Sequence, residues 1–481
     1  MASCGVAGVV IAMQPKMGAA AVFAAAVGAL FFLGLSPTKL FLTALVILLT
    51  AYAFFEKGVA YLGFAPIYIG EIVLALAVTQ IFVAVWKVRL QALHWLLLAF
   101  MLYGLVRTLP FIGIYGVDAL RDSVIWGYAL FAFAVSFTVE RSHVEWIHRF
   151  INNWLPWILV AGALAQIIQL TIGPELPKAP GADVPILFVR GGEAAVHLAG
   201  MSAFLLLGLY VSRTGSPTAS RRGEIAMYAL VVLGLLLLGT ISRAAFLTIS
   251  VGLFAAFLFR PSVRILQFIA AGALVIPVLL ILKPHIQFGE REFSAEQITQ
   301  NVTSIFSPQE GSQLEGTRNF REDWWHSIIS YTFHGPHFWG GKGFGINLAD
   351  DDGFQVNADG SLRSPHNGHM NVLARMGVPG FALWLTILGT FVITMLRARQ
   401  LFLRRDDTLL AGICAWVLVY WLAAVVNTSF DVYLEGPQGG IWFWSLMGLG
   451  ISLSMLAGKS RVESPALSPL LDQTPARLAA I

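Results

Sequence analysis

Polar residues fall in short clusters along this chain, and the stretches between them are apolar without alternation. Such runs lie near 17–35, 38–55, 66–86, 91–108, 123–139, 154–172, 194–212, 224–240, 243–260, 264–283, 377–396, 408–427 and 439–457. Each approaches the ~20 residues that carry a helix across a bilayer's hydrocarbon core. Backbone polar groups in lipid must be satisfied internally, so spans are helices or closed barrels, and unbroken apolar runs indicate helices. The predicted fold is therefore all-α, a polytopic transmembrane bundle of about 12–13 spans. Several spans are short enough to tilt, merge or re-enter.

Composition agrees. Of 481 residues, 57% are hydrophobic and only 12% are charged, against about 25% charged in soluble domains. The net charge of +4 reports Lys and Arg in cytoplasmic loops, not nucleic-acid binding. Cys4 and Cys414 lie in different apolar regions, so neither a disulfide framework nor a thiol metal site is expected. The apolar stretch after Lys16 reads as a retained first helix, because no clear small-residue cleavage site follows it.

Loop charge sets the expected orientation. Lys87 and Arg89; Arg141, His148 and Arg149; Arg213, Arg221 and Arg222; Arg260 and Arg264; and Arg397, Arg399, Arg404 and Arg405 all fall on one side. That side should be cytoplasmic. The chain divides into amino-terminal spans (1–283), a large periplasmic loop (284–376), carboxy-terminal spans (377–457) and a Ser-, Pro- and Ala-rich cytoplasmic tail (458–481) that reads as disordered. The loop holds roughly 90 residues, far beyond ordinary connections, and short helices over the membrane face are expected there.

Charge at membrane depth marks candidate chemistry, since it costs a few kcal/mol there. Arg243 interrupts the long apolar run 225–259 with only Ser242 as a polar neighbour. It either faces a cavity or marks an interfacial hairpin and snorkels. Arg190 stands at the outer mouth of the bundle, before Gly191, Gly192 and Glu193, and either binds a ligand or pairs locally with Glu193. Two arginines at this depth suit a lipid diphosphate, because guanidinium is planar, always charged and bidentate toward phosphate oxygens.

The stretch SPHNGHMNVLARMGVPG from Ser364 has His366 and Asn367, then nine residues, then Gly377, with Gly380 following. This resembles the signature of the O-antigen ligase and polymerase family. TISRAAF around Arg243 and VRGGEAAVHLAG after Arg190 resemble its membrane-face arginine segments, although His197 stands where the family commonly has Asn. TRNFREDWWHSIISYTFHGPHFWGGKGFG resembles its arginine, tryptophan and Gly-x-Gly-x-Gly pattern through Arg321, Trp325, Pro336, Gly341, Gly343 and Gly345. FDVYLEGPQGGIWFWSLMGLG also fits, so the resemblance covers roughly 185–455.

The resemblance implies a fold like the C-type membrane glycosyltransferases. It implies a donor glycan on undecaprenyl diphosphate at the periplasmic face, and inverting transfer without nucleotide sugar, metal or other cofactor. The acceptor hydroxyl would lose its proton to His366, since histidine titrates near neutral pH. Arg190 and Arg243, with Arg321 as a third candidate, would stabilise the departing diphosphate. Lys342, Trp325, Asn367, Asp431 and Glu435 are candidate substrate contacts.

Plainer readings stand beside these. His366 could cap the following helix. His366 with His369 could hold a metal, although no nearby Cys or Glu completes the set. Gly341, Gly343 and Gly345 could cradle phosphate, without the usual lysine–serine continuation. Trp324 and Trp325 could stack on sugars or form an interfacial belt. The acceptor is either lipid A-core, making a ligase, or a second lipid-linked glycan, making a polymerase. The single dominant outer loop favours the ligase. A lipid-linked sugar transporter is the competing class, but it would carry repeated halves and broken helices at the midplane.

Overall fold

The computed structural model describes residues 36–64, 67–179, 184–212, 217–261, 266, 270, 281, 286–288, 291–293 and 313–459. The expected span at 17–35, most of that at 264–283, and the tail from 460 lie outside the described residues. The helices are α1 Pro37–Phe55, α2 Ile69–Ala84, α3 Ala92–Tyr115, α4 Val117–Gly127, α5 Ala129–Thr138, α6 Arg141–Ile172, α7 Gly191–Leu206, α8 Pro217–Ile241, α9 Arg243–Phe259, α10 Gln313–Phe333, α11 Leu348–Asp352, α12 Gly368–Leu403, α13 Thr408–Thr428 and α14 Pro437–Gly458. Two short antiparallel strand pairs, Gly63–Phe64 with Ile67–Tyr68 and Ile286–Phe288 with Arg291–Phe293, supply the strands among the described residues.

Eight described helices are long and apolar enough to cross a membrane, and α4–α5, bent by 41°, makes up to nine. The protein is thus an all-α, multi-pass membrane bundle. The apolar windows of α13 and α14 are 72% and 78% buried, whereas the other six spans are 22–33% buried. α13 and α14 therefore form the centre, and the remaining spans turn most of their surface to lipid. The shorter α7 and α9 pack against α13, while α12 lies along α13 and α14.

The two ends differ in chemistry. At one end Arg141 pairs with Asp407 at 2.8 Å, Arg399 donates to the Phe259 carbonyl, and Arg405 donates to the Lys459 carbonyl. These are the basic loops assigned to a common side by sequence. The opposite end carries a lobe formed by residues 313–376. Trp324, Ile328, Leu348, Leu362, Leu373 and Ala374 give the lobe its own core. Trp324 is fully buried, stacks on Phe354 at 5.3 Å, and donates to Asp352 at 2.7 Å. It serves neither sugar stacking nor an interfacial belt.

The lobe joins the bundle through a break in α12. The expected span began at 377, but the helix starts at Gly368 and is interrupted at Gly377, with φ 66° and ψ −171°. The Gly-x-Gly-x-Gly segment fills that break. Lys342 N–H donates to the Ala374 carbonyl at 2.7 Å, and Gly343 N–H donates to the Arg375 carbonyl at 3.0 Å. Carbonyls orphaned by the kink are thereby satisfied. Gly341 N–H donates to the His337 carbonyl and Gly345 N–H to Asp122, so these amides are committed within the fold and not to a phosphate. A Cβ at Gly377 would stand 2.4 Å from the Phe338 carbonyl oxygen. Gly377→Ala should therefore lower stability by at least about 2 kcal/mol, from left-handed strain plus the backbone clash. Thermal unfolding in detergent measures this, and a wild-type midpoint would refute the packing role.

Candidate active site

Three helix N-termini meet at the lobe end, and each carries a residue singled out by sequence. Arg190 caps α7, Arg243 opens α9 behind its Ser242 cap, and His366 directly precedes Asn367, the cap of α12. Helix N-termini present free N–H groups and a partial positive charge, which favour anions. Asn367 accepts from the N–H groups of His369 and Met370 at 3.0 and 3.1 Å and is 6% exposed. The cap thus belongs to Asn367 and leaves the His366 side chain uncommitted to it. It also turns Asn367 away from the substrate contact expected of it.

His366 has φ 50°, an uncommon conformation for a residue with a Cβ. Its loop is braced by Trp325, whose indole donates to the Pro365 carbonyl at 3.0 Å. The His366 ring is one-third exposed, and its Nδ1 lies 3.9 Å from Asp431 Oδ1, beyond direct hydrogen bonding. The same oxygen lies 3.6 Å from Arg190 Nη1. Arg190 therefore pairs with Asp431, while the Glu193 carboxyl takes its hydrogen bond from Gln438 at 3.1 Å. Arg321 reaches the neighbouring Phe430 carbonyl at 3.2 Å.

Electrostatics tie the cluster together. Burial alone would raise the Asp431 carboxyl, but His366 and Arg190 hold it below the usual carboxylate range. Burial works against the Arg190 charge, yet Asp431 and then Glu193 lift its pKa above the ordinary value. Burial lowers Arg321; Asp431 opposes the shift and Arg243 adds to it. Arg243 is itself within electrostatic reach of Arg318. The structure thus brings together His366, Asp431, Arg190, Arg321 and Arg243, from segments scattered over 240 positions of sequence.

Glu435 lies beside the cluster. Burial raises its carboxyl, and Asn371 donates to it at 2.8 Å. Asn371 in turn accepts from Arg375 at 2.8 Å, and Arg375 reaches Asp122 at 3.0 Å. Lys342 stays apart: it is held between Asp351 and Asp352 and lies over the Tyr331 ring at 4.4 Å. His369 is also engaged elsewhere, with Trp384 at 2.9 Å and the Val425 carbonyl at 3.3 Å. Among the described residues no group of three or more His, Cys, Asp or Glu is placed to hold a metal.

Sequence reasoning missed three residues here. Arg375 is 1% exposed, but its ARMG context looks like loop. Lys57 lies over Tyr61 and Phe188 at 5.9 and 5.7 Å; burial and then Arg190 lower its pKa. Glu56 is buried beneath Arg190, beside Glu193, which the sequence offers as a local partner of that arginine. A charged pair flanking a span end, such as Glu56–Lys57, was the one signal available, and it reads equally well as interfacial.

An apolar cavity of about 620 Å³ reaches Val189, the residue before Arg190. Val189 and Ala194 line it at the lobe end, and Trp146, Phe150, Trp154 and Trp157 continue it along α6. The α6 lining runs from Trp146 to Gln166, roughly 30 Å at 1.5 Å per residue, which is the height of a bilayer core.

A membrane-embedded helical bundle with a cation-rich site at one end is the class this arrangement defines. Residues 228–385 match the family described as O-antigen ligase. That segment holds Arg243, Arg321, the three glycines and His366. No curated protein matches the chain.

Proposed function

We propose that this protein transfers a glycan from undecaprenyl diphosphate to an acceptor hydroxyl at the periplasmic face of the inner membrane. The observation that carries this reading is the convergence of His366, Asp431, Arg190, Arg321 and Arg243 at one end of the bundle, with a bilayer-high apolar cavity that reaches Val189, the residue before Arg190. A diphosphate with a long apolar tail is the ligand those two surfaces suit together. The basic opposite end faces the cytoplasm by the positive-inside rule.

In the reaction the acceptor oxygen attacks the anomeric carbon and the bond to the diphosphate oxygen breaks. The hydroxyl proton passes to His366 Nε2, because Nδ1 faces Asp431, and inversion follows from single displacement. Asp431 stabilises the imidazolium that forms, as a carboxylate beside a catalytic histidine does. Arg190, Arg243 and Arg321 neutralise the leaving diphosphate, which needs no acid. Trp325 holds the His366 loop through Pro365. The exposed cluster at one end supports chemistry at the surface over passage through the bundle.

The acceptor reading is lipid A-core. Purified protein with undecaprenyl-diphosphate-linked glycan and no nucleotide sugar is expected to label lipid A-core on a gel. Longer chains from donor alone would make the protein a polymerase. Failure of both reactions would refute the glycosyl-transfer reading.

A further inference from the structure

Directly beneath Arg190 two carboxyl groups are buried against one another. Glu56, in the turn after α1, is 1% exposed, and Glu193, in the first turn of α7, is 2% exposed. Glu56 holds φ 44°, a conformation uncommon for a non-glycine residue and costly enough to need support from its surroundings. Its Oε2 accepts the Arg190 backbone N–H, and its backbone bridges Phe188 in parallel. Glu193 Oε1 accepts from Gln438. Each carboxyl keeps one further buried oxygen, Oε1 of Glu56 and Oε2 of Glu193, to which no donor is supplied.

Two buried acceptors without donors are costly, and two adjacent carboxylates cannot both ionise readily. The carboxyls are in hydrogen-bonding contact, so a single proton between them satisfies both oxygens and removes one charge. Burial, and after it the Glu193 charge, hold the Glu56 carboxyl well above the usual carboxylate range. Around the pair stand Arg190, Lys57, Asp431, Tyr61 and Tyr433. Two cations thus face one negative charge on the pair and one on Asp431.

We propose that Glu56 and Glu193 share one proton and act as a positioning pair for Arg190, fixing its backbone while leaving its guanidinium available to the donor diphosphate. The part concerning the diphosphate rests on the donor reading above; the shared proton does not. The sign follows from the raised carboxyl: the shared proton is kept up to the raised pKa and is lost as pH rises through it. A second negative charge then appears under Arg190 and competes with the diphosphate for it. Glu193→Gln should fix the neutral form, since its amide carbonyl can still accept from Gln438 while its N–H donates to Glu56.

The test uses the full chain in lipid nanodiscs without donor. Infrared difference spectra on raising pH from mildly acidic to mildly alkaline should show the wild type losing a protonated-carboxyl band. Glu56→Gln and Glu193→Gln should both lack that change. Identical spectra in all three proteins would overturn the shared proton. Binding of undecaprenyl diphosphate without glycan should then weaken about tenfold in the wild type over the same interval and stay flat in Glu193→Gln. Wild-type binding that is flat, or that moves identically in the variant, overturns the positioning role. If neither protein binds that lipid at any pH, the donor reading fails, and the infrared band alone decides the carboxyl pair.

Discussion

His366→Ala is expected to slow glycan transfer by about 10²- to 10⁴-fold, the range general-base catalysis supplies, with the fold intact. The ring is one-third exposed, so truncation opens no core cavity. The α12 cap belongs to Asn367, and Trp325 grips the Pro365 carbonyl, so the loop keeps its anchors. What disappears is the only imidazole facing Asp431 among the described residues. The φ of 50° provides a control that separates chemistry from backbone strain. Asparagine tolerates the left-handed region better than most residues, so His366→Asn should be at least as stable as His366→Ala and equally inactive. Single-turnover transfer with saturating donor, beside thermal unfolding of each variant, reads both quantities. Rates within a few-fold of wild type in either variant would remove His366 from the reaction.

Much of this architecture was legible because a bilayer imposes a simple length rule, and the described spans agree with the apolar runs to within a few residues at most ends. Larger differences have physical causes. α6 begins at Arg141, not 154, because its first turns (RSHVEWIHRFINN) are amphipathic and lack the continuous apolar signal of a span. α12 begins at Gly368 because Asn367 caps it, whereas the sequence pattern draws the eye to Gly377, where the helix is in fact broken. The site was legible in part. Arg190, Arg243, Arg321 and His366 stood out by motif or by charge at depth, and they do gather. Lys342 and Asn367 matched the same motifs but are committed to Asp351 and Asp352 and to a helix cap. Arg375 and Glu56 were hidden because their meaning lies in partners far along the chain. Nothing local to Arg375 announces Asp122, some 250 positions earlier.

That distant pair sets the second large effect. Arg375→Met should lower stability by about 3 kcal/mol, the low end for breaking a buried ion pair by removing one partner. The low end applies because Asp122, 8% exposed, keeps Arg363 at 3.3 Å and the Gly345 N–H at 3.1 Å. The guanidinium also donates to the Gly343 and Ile346 carbonyls, both at 3.3 Å, and to Asn371 at 2.8 Å. It therefore ties the glycine segment, the lobe and α4 to the first turns of α12. Arg375→Lys keeps the charge but not the fork, and should recover only part of the loss. Asn371, released from Arg375, would no longer hold Glu435 in place beside the His366 loop. Transfer by Arg375→Met should accordingly fall at temperatures where the protein remains folded. Chemical unfolding in mixed micelles, paired with transfer rates well below the melting transition, tests both statements. A stability within about 0.5 kcal/mol of wild type, the range of an ordinary surface substitution, would mean that the buried arginine does not tie the lobe to the bundle.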